Sequence, residues 1–161
     1  LSVEHIAKNY SFLYDINLTL LRYFTVYGPR QRPDLAIYKF TKAAILGETV
    51  PFYGSGNTSR DYTYIYDVVD ATIKSLSSNN KGYRVLNVGS GNPVSLIYLV
   101  NKIEFLVGKE LKTTKTNLHS ADAVQTFADI SLIKNTLGWE PRVNFDNGIS
   151  DFVSWMLGRY Q

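Results

Sequence analysis

The residue types best suited to ligand chemistry lie together in a basic loop, Gly28-Pro29-Arg30-Gln31-Arg32-Pro33. Residues 18–27 precede this loop, and their aliphatic, aromatic and β-branched side chains predict a strand. In an open α/β sheet, ligand-binding groups usually follow the end of a buried strand. An arginine there favours a carboxylate or a phosphate, because its guanidinium bonds two oxygens at once. The residues alone leave a strand followed by solvated arginines equally open.

Two glycine-rich turns and two tyrosine–lysine pairs also have spacings associated with chemistry. Gly54-Ser55-Gly56 and Gly89-Ser90-Gly91 lack the third glycine of a dinucleotide fingerprint, so they predict tight turns whose N–H groups can still face an anion. Tyr38 and Tyr98 each precede a lysine by four residues, the spacing of a reductase acid–base pair. With 12 tyrosines in the chain this spacing arises by chance, and both pairs lie on ordinary helix faces. Neither pair is interpreted as catalytic.

The composition argues against several function classes. With 161 residues, 45% of them hydrophobic and 19% charged, the chain is expected to fold as one globular unit. It has no cysteine, its two histidines are far apart, and no Gly-x-Ser-x-Gly occurs, which argues against a metal site and a catalytic triad. The net charge of +3 is too small to indicate nucleic acid, and no apolar run reaches the roughly 18 residues of a membrane span. A cytoplasmic location is expected.

Strands and helices are predicted to alternate, which indicates the α/β class with at least partly parallel pairing. Predicted strands after the first lie at 50–53, 60–65, 83–88 and 111–118. Helical periodicity predicts helices over residues 1–14, before Gly47, over 67–76, before Gly108, before Gly138 and near the C-terminus.

Short polar residues are predicted to cap these helices, namely Asp34, Asp67, Ser95 and Asp129. In the helix that Asp67 opens, the apolar spacing predicts an inward-facing stripe of Val68, Val69, Ile73 and Leu76. Three residues near the C-terminus are assigned to packing, namely Trp139, Pro141 and Trp155.

An ordered series of motifs runs through the whole chain. It consists of residues 21–34, Tyr53-Gly54-Ser55-Gly56, residues 60–65, Asn87-Val88-Gly89-Ser90-Gly91, residues 126–129, residues 137–141, Gly148 and Trp155. Each motif is weak alone, but the ordered series is specific. It resembles the extended short-chain dehydrogenase/reductase superfamily, and within it the NAD-dependent nucleotide-sugar 4-epimerases, especially the UDP-glucuronate 4-epimerases.

The resemblance implies a binding role for residues of the first strand and its loop. Phe24 and Thr25 match residues beside the nicotinamide and the sugar, and Arg32 together with Thr25 matches the pair that holds a hexuronic carboxylate. Positions that match those meeting the uracil base are Leu35, Ala36 and Ile37. Plain surface exposure is the alternative for Arg32.

Later residues match the remaining contacts of a UDP-sugar. Tyr53 matches the aromatic residue that packs on the uracil ring, with Phe52 beside it; a role in the core alone is the alternative for both. Arg60 matches the arginine that binds the diphosphate, unless it forms a local ion pair with the neighbouring Asp61, and Asn87 matches the asparagine that assists it. Asp122 matches an acidic residue near the ribose or phosphate, although this chain has a histidine at position 119 where the family usually has arginine or glutamine nearby.

The resemblance also implies that the catalytic part of such an enzyme lies elsewhere. In this family the glycine fingerprint, the catalytic serine or threonine and the Tyr-x-x-x-Lys pair precede the equivalent of Leu1. Residues 1–161 would then form a single C-terminal region, consisting of the last strands of the NAD-binding Rossmann sheet and the small substrate-binding α/β domain. No catalytic residue or metal ligand is expected within it, and alone it is expected to be inactive.

NAD, bound mainly by the other half, and a UDP-sugar are the implied cofactor and substrate. The incomplete sheet is expected to expose apolar surface and to form a homodimer or self-associate. Two enzyme alternatives remain open, a UDP-glucose 4-epimerase and a nucleotide-sugar decarboxylase or dehydratase. A non-catalytic nucleotide-sugar-binding module is the alternative of another class.

Overall fold

A computed structural model describes residues 2–79, 81–117 and 122–160. The helices are α1 (Ser2–Tyr14), α2 (Ala36–Leu46), α3 (Ile65–Leu76), α4 (Leu96–Val107), α5 (Ser131–Leu137) and α6 (Phe145–Tyr160). The strands are β1 (Leu18–Tyr23), β2 (Thr25–Tyr27), β3 (Thr49–Tyr53), β4 (Ser59–Tyr64), β5 (Tyr83–Val88), β6 (Pro93–Ser95) and β7 (Lys112–Thr116). Helices and strands alternate along most of the chain, so the α/β prediction is confirmed.

The strands form three small sheets in which parallel pairing dominates. β1 pairs with β5, β2 with β4, and β3 with β7, all in parallel, while β6 joins β4 in antiparallel orientation. The prediction of one continuous strand over residues 18–27 is wrong in one respect: the strand is interrupted at Phe24, which separates β1 from β2. The Phe24 N–H still donates to the Val88 carbonyl at 3.0 Å, after which the chain leaves β5 and joins β4. One stretch of chain therefore connects two sheets.

Two buried clusters hold these sheets in place. The larger packs the aromatic side chains of Tyr27, Tyr62 and Tyr64 against α2, α4 and α6. The smaller lies between α3, β5 and α5 around Trp139, which is fully buried and donates from its indole N–H to the Asp67 carbonyl at 3.1 Å. The prediction that Trp139 serves packing is confirmed.

The glycines that end helices lie where the sequence predicts them, but only some of the residues predicted to cap helix N-termini do so. Gly47, Gly108 and Gly138 end α2, α4 and α5 in left-handed conformation, which glycine adopts at little steric cost. The Ser95 hydroxyl accepts the Tyr98 N–H at 3.2 Å and so caps α4 as predicted. The carboxylate of Asp129 lies one residue before the N-cap position of α5 and accepts the Ser131 N–H at 2.9 Å.

Asp34 and Asp67 do not cap their helices. α2 begins after Leu35 and α3 after Tyr64, and neither of those residues makes a side-chain cap bond. Asp67 instead lies in the first turn of α3, where its carboxylate accepts the N–H groups of residues 142 and 143, both at 3.1 Å. Both predictions are wrong because the carboxylates bond to other partners, which for Asp67 are distant in sequence.

The predicted inward stripe of α3 is also wrong for three of its four members. Val68 is buried, but Val69, Ile73 and Leu76 are 45%, 56% and 81% exposed. α1 likewise exposes large apolar side chains, with Phe12 at 88%. Apolar helical spacing marks a face that is to be covered, and no described residue covers the exposed side chains of these two faces.

Candidate functional site

The site is organised around Arg60, which lies on the central strand β4 between β2 and β6. The half-buried side chain of Arg60 donates from Nη1 to the Ser59 carbonyl at 2.9 Å. Among the described residues, no carboxylate lies within ion-pair distance of its guanidinium. The rest of the guanidinium is therefore available to an anionic ligand.

Asp61 points to the opposite face of β4, because successive strand residues alternate, and it is fully buried. Its carboxylate accepts the Ser90 N–H at 2.6 Å, the Ser90 hydroxyl at 2.8 Å, the Gly91 N–H at 2.9 Å and the Ala128 N–H at 3.0 Å. The turn at residues 89–91 does present its N–H groups to an anion, and that anion is Asp61. The local Arg60–Asp61 ion pair, which the sequence left open, does not form.

Arg60 lies in the wall of two of three cavities that adjoin one another along β4, β2 and the basic loop. The first cavity, about 230 Å³, contains Tyr53, Arg60 and Asp122 in its wall. The second, about 220 Å³, shares Ala36, Arg60 and Tyr62 with the first. The third is about 520 Å³, and the three cavities together are called the cleft below.

The third cavity shares Thr25 and Leu35 with the second and extends along the basic loop to Phe24 and Arg32. The tertiary structure therefore brings most of the sequence-derived site residues into one cleft. They are Phe24, Thr25, Arg32, Leu35, Ala36, Ile37, Tyr53, Arg60 and Asp122. Ile37 is 2% exposed and contributes to the core at the same time.

Phe52 and Asn87 are not among the residues that line the cleft. Phe52 alternates to the other face of β3, where its ring packs so closely on Gly56 that a Cβ there would lie within 3.0 Å of it. Asn87 lies on β5 and donates from Nδ2 to the Asp129 carbonyl at 3.1 Å. The histidine at position 119 lies outside the described residues.

Arg32 already binds a carboxylate within its own loop. Its Nε donates to Asp34 Oδ1 at 3.0 Å and its Nη2 donates to Oδ2 at 2.6 Å. This is the bidentate geometry expected for a ligand carboxylate. Both side chains are exposed, Arg32 by 77% and Asp34 by 53%. The hydrogen-bonded guanidinium lowers the pKa of the Asp34 carboxyl below its usual value.

Sequence reasoning missed Gln31, which lines both the second and the third cavity. Its Oε1 accepts the Gly28 N–H at 3.3 Å. Its Nε2 is buried without a hydrogen-bond partner among the described residues. The sequence offered no signal for it, because a neutral amide between two arginines has no characteristic spacing.

A larger cavity, about 710 Å³, does not include Arg60 in its wall and lies at the starts of α4 and α6 around Tyr98 and Asp146. There the Tyr98 hydroxyl donates to Asp146 at 2.8 Å, and Lys102 pairs with the same carboxylate at 3.0 Å. The hydrogen bond to Asp146 raises the pKa of Tyr98, whereas a proton-transferring tyrosine needs a lowered one. This arrangement does not suit proton transfer, so the smaller cavities are the better candidates, and Tyr98 is the hydrogen-bond partner of the Lys102–Asp146 ion pair.

Residues 2–79, 81–117 and 122–160 contain neither a metal-binding cluster nor a membrane-spanning helix. No group of three histidine, aspartate or glutamate side chains there could hold a metal ion. No helix there is long and apolar enough to cross a membrane.

Comparison with known proteins gives the class first. The fold matches that of epimerases of the short-chain dehydrogenase/reductase type. A UDP-glucuronic acid 4-epimerase from Bacillus cereus, solved with UDP-glucuronic acid and NAD, superposes with a TM-score of 0.91 at 30% identity, over 98% of this chain and 50% of that one. A UDP-glucose 4-epimerase from Thermotoga maritima, solved with UDP-glucose, gives a TM-score of 0.92 at 28% identity, over 99% and 52%.

The family follows from the sequence itself. The sequence model described as GDP-mannose 4,6 dehydratase matches residues 1–152, and the chain belongs to this family. A UDP-glucuronate 4-epimerase from Thermodesulfobacterium geofontis is 39% identical over 153 residues, which are 94% of this chain and 47% of that protein. The chain thus spans about half the length of the curated relatives it matches, and its resemblance to nucleotide-sugar epimerases is confirmed.

Proposed function

We propose that this chain is the UDP-sugar-binding half of an NAD-dependent nucleotide-sugar 4-epimerase whose substrate is UDP-glucuronate. The observation that carries the proposal is the guanidinium of Arg60, which forms no ion pair within the described part of the chain and lies between an exposed aromatic ring at Tyr53 and the loop that holds Arg32. Base, diphosphate and sugar follow one another in a UDP-sugar, so a ligand of this kind matches the order of these groups along the cleft.

The chemistry of each cavity supports this order. Tyr53, 42% exposed, offers a ring on which a uracil can stack. Arg60 can donate two charge-assisted hydrogen bonds to the diphosphate, and the Asp122 carboxylate in the same cavity can accept one from a ribose hydroxyl. Leu35 and Ala36 supply small apolar contacts. Phe52 and Asn87 have no direct contact in this proposal, because they lie outside the cleft.

NAD enters the proposal through the third cavity. Phe24 and Thr25 in its wall fit the nicotinamide end of the dinucleotide, while the chain contains no Gly-x-Gly-x-x-Gly to hold its phosphates. In this proposal, the remainder of the NAD site and the catalytic residues belong to the part of the relatives' length that this chain does not span. Bound NAD supplies a reversible hydride acceptor.

The residues of this chain would orient the sugar. Epimerisation at C4 passes through a 4-keto sugar, which must present both faces in turn while the nucleotide stays bound. Arg60 and Tyr53 anchor the nucleotide during that rotation. A 4-keto hexuronate is a β-keto acid, so it loses CO₂ when the bond from C5 to the carboxylate carbon aligns with the π system of the C4 carbonyl. Arg32 and Thr25 would hold the carboxylate away from that alignment and favour epimerisation.

UDP-glucose is the second candidate substrate, and one contact favours it. Arg32 is already paired with Asp34, so it does not need a ligand carboxylate. Arg32→Ala therefore separates the two candidate substrates. If the substrate is UDP-glucuronate, the variant loses affinity for UDP-glucuronate selectively. If the substrate is UDP-glucose, the affinities for both ligands stay unchanged.

Calorimetric titration with UDP tests the proposal. We expect Arg60→Ala to lower the affinity for UDP roughly tenfold to hundredfold, because hydrogen bonds to a charged group contribute about 1.5–3 kcal/mol. Arg142→Ala is the matched control, since Arg142 lines the larger cavity instead. Unchanged UDP binding by Arg60→Ala, or equal losses in both variants, would contradict the assignment of the cleft.

Self-association belongs to the same proposal. α1 exposes Phe12 and Leu13 by 88% and 69%, an apolar surface that a second copy would cover. Sedimentation should show a dimer that Phe12→Ser weakens. Phe105→Ser on α4 is the control, because Phe105 is also 79% exposed but lies on another helix. A wild-type monomer at high concentration would contradict self-association.

A further inference from the structure

The amide of Gln31 lies in the wall of the cleft, where its oxygen accepts a hydrogen bond and its nitrogen makes none within the described residues. Oε1 accepts the Gly28 N–H at 3.3 Å. Only the oxygen of an amide can accept this bond, so the orientation of the side chain is fixed and Nε2 points the other way. Nε2 is buried, and no acceptor in the described part of the chain lies within hydrogen-bond distance.

The backbone of the loop maintains this arrangement. Gly28 has a φ of 141°, and a Cβ added there would lie within 3.0 Å of Ile65, so the chain passes too close to α3 for any other residue. Arg30 adopts a φ of 66°, a conformation uncommon for a residue with a side chain. Strained backbone of this kind clusters at ligand sites, where the surrounding structure enforces it.

Two other buried polar atoms lack a partner in the described residues, the hydroxyl oxygens of Thr41 and Thr63. Both residues are fully buried in the interior, and neither lines the cleft. Gln31 differs because its residue forms part of the wall of two cavities, where a ligand can supply the missing acceptor. A buried donor without an acceptor is rare in native proteins and calls for an explanation, which a bound ligand at this wall would supply.

We propose that the side-chain amide of Gln31 donates a hydrogen bond to an oxygen of the hexose in the bound nucleotide sugar. The proposal rests on the proposed function and adds a specificity-determining residue to it. Gln31 lies where the second cavity, which holds Arg60, meets the third, which holds Arg32, and this is the hexose position in the proposed order.

The chemistry of an amide suits a sugar oxygen. A neutral N–H donor matches a hydroxyl as well as a carboxylate, so Gln31 recognises the hexose whatever its group at C6. Nε2 is shielded from solvent, so donation to the hexose requires the amide to turn toward the cavity from the orientation that the Gly28 bond gives it in this structure. The 3.3 Å bond to Gly28, beyond the usual range for N–H···O, is a weak restraint on this movement.

Gln31→Met tests the inference, because methionine has a similar length and cannot donate. We expect calorimetry to show a roughly threefold to tenfold loss of affinity for UDP-glucose and UDP-glucuronate, as for one neutral hydrogen bond. Affinity for UDP itself, which has no hexose, should not change. The unfolding temperature of the unliganded variant should change little, because the loss of the weak acceptor for the Gly28 N–H is offset by the removal of an unpaired buried donor.

Thr41→Val is the matched control, since it removes an unpaired buried hydroxyl that does not line the cleft. It should leave all three affinities unchanged. Gln31→Glu is a second variant that keeps the side-chain shape and the acceptor for Gly28 but cannot donate, and it should lose the hexose-dependent affinity as well.

Three results would overturn the inference. If Gln31→Met unfolds at a lower temperature and keeps its preference for UDP-sugars over UDP, the amide is structural. If UDP is weakened as much as the UDP-sugars, Gln31 does not contact the hexose. If wild type binds none of the three ligands, the proposed function fails and the inference fails with it, whereas failure of the inference alone leaves UDP binding and its dependence on Arg60 intact.

Discussion

Replacing Asp61 with alanine should destabilise this protein more than any other single carboxylate deletion in it. The Asp61 side chain is fully buried, and its carboxylate ties strand β4 to two other segments, because it accepts from the turn at residues 89–91 and from the chain at Ala128. Truncation removes that acceptor while the donors remain enclosed. The expected loss follows from counting those donors.

Three backbone N–H groups, those of Ser90, Gly91 and Ala128, and the Ser90 hydroxyl would lose their acceptor. Each buried donor left without an acceptor costs about 1–3 kcal/mol. Some water would enter the space of the lost carboxylate and offset part of this, so we expect the free energy of unfolding to fall by about 3–5 kcal/mol. Domains of this size are stable by about 5–15 kcal/mol in total.

Urea unfolding followed by tryptophan fluorescence measures this loss, because Trp139 is fully buried in the native state. Asp70→Ala is the control: Asp70 is 40% exposed and pairs only with Lys74, at 3.1 Å, so its removal should change stability by less than about 0.5 kcal/mol. A loss below about 1 kcal/mol for Asp61→Ala would refute the reasoning, since it would mean that the donors find other acceptors.

Three further predictions concern packing, pH and ligand choice. Gly148→Ala should lower the free energy of unfolding by about 1–3 kcal/mol, because a Cβ there would overlap the Tyr27 hydroxyl; thermal denaturation measures this, and unchanged stability would contradict it. Burial raises the pKa of Tyr62 to about 12 from its usual value of about 10, so the folded state keeps a proton that the unfolded state releases. The free energy of unfolding should therefore fall as the pH rises from about 10 to about 12, and Tyr62→Phe should flatten this dependence, whereas an equally steep curve would argue against Tyr62 as its source. Asp34→Asn should raise the affinity for UDP-glucuronate relative to UDP-glucose, because it releases the Arg32 guanidinium from its carboxylate partner; equal changes for both ligands in calorimetry would count against competition at Arg32.

Local patterns explain which parts of the fold could be predicted. The three glycine stops, the Ser95 cap and the alternation of helices with strands each depend on residues within a few positions of one another. The same holds for the basic loop and for Arg60, since the types of the residues and their neighbours indicate an anion site. Backbone geometry and side-chain chemistry act over this short range, so the sequence alone determines them.

Contacts between distant segments decided the rest. The Asp61 partners lie 29 to 67 residues further along the chain, and the Asp67 partners lie 75 and 76 residues away. No local spacing encodes such pairs, so the sequence suggested a local ion pair for one carboxylate and a helix cap for the other. The break at Phe24 has the same origin, because it depends on which strands lie beside β1 and β2.

The sequence by itself therefore determined the elements and the residue types that a nucleotide sugar requires. Only the tertiary structure decided which of those residues share a cleft. It supplied Asp61 with partners in the turn at residues 89–91 and at Ala128, left Phe52 and Asn87 outside the cleft, and placed Gln31 in its wall. The physical reason is that the direction of a side chain depends on the strand or loop that carries it, whereas its partners depend on how the sheets pack together.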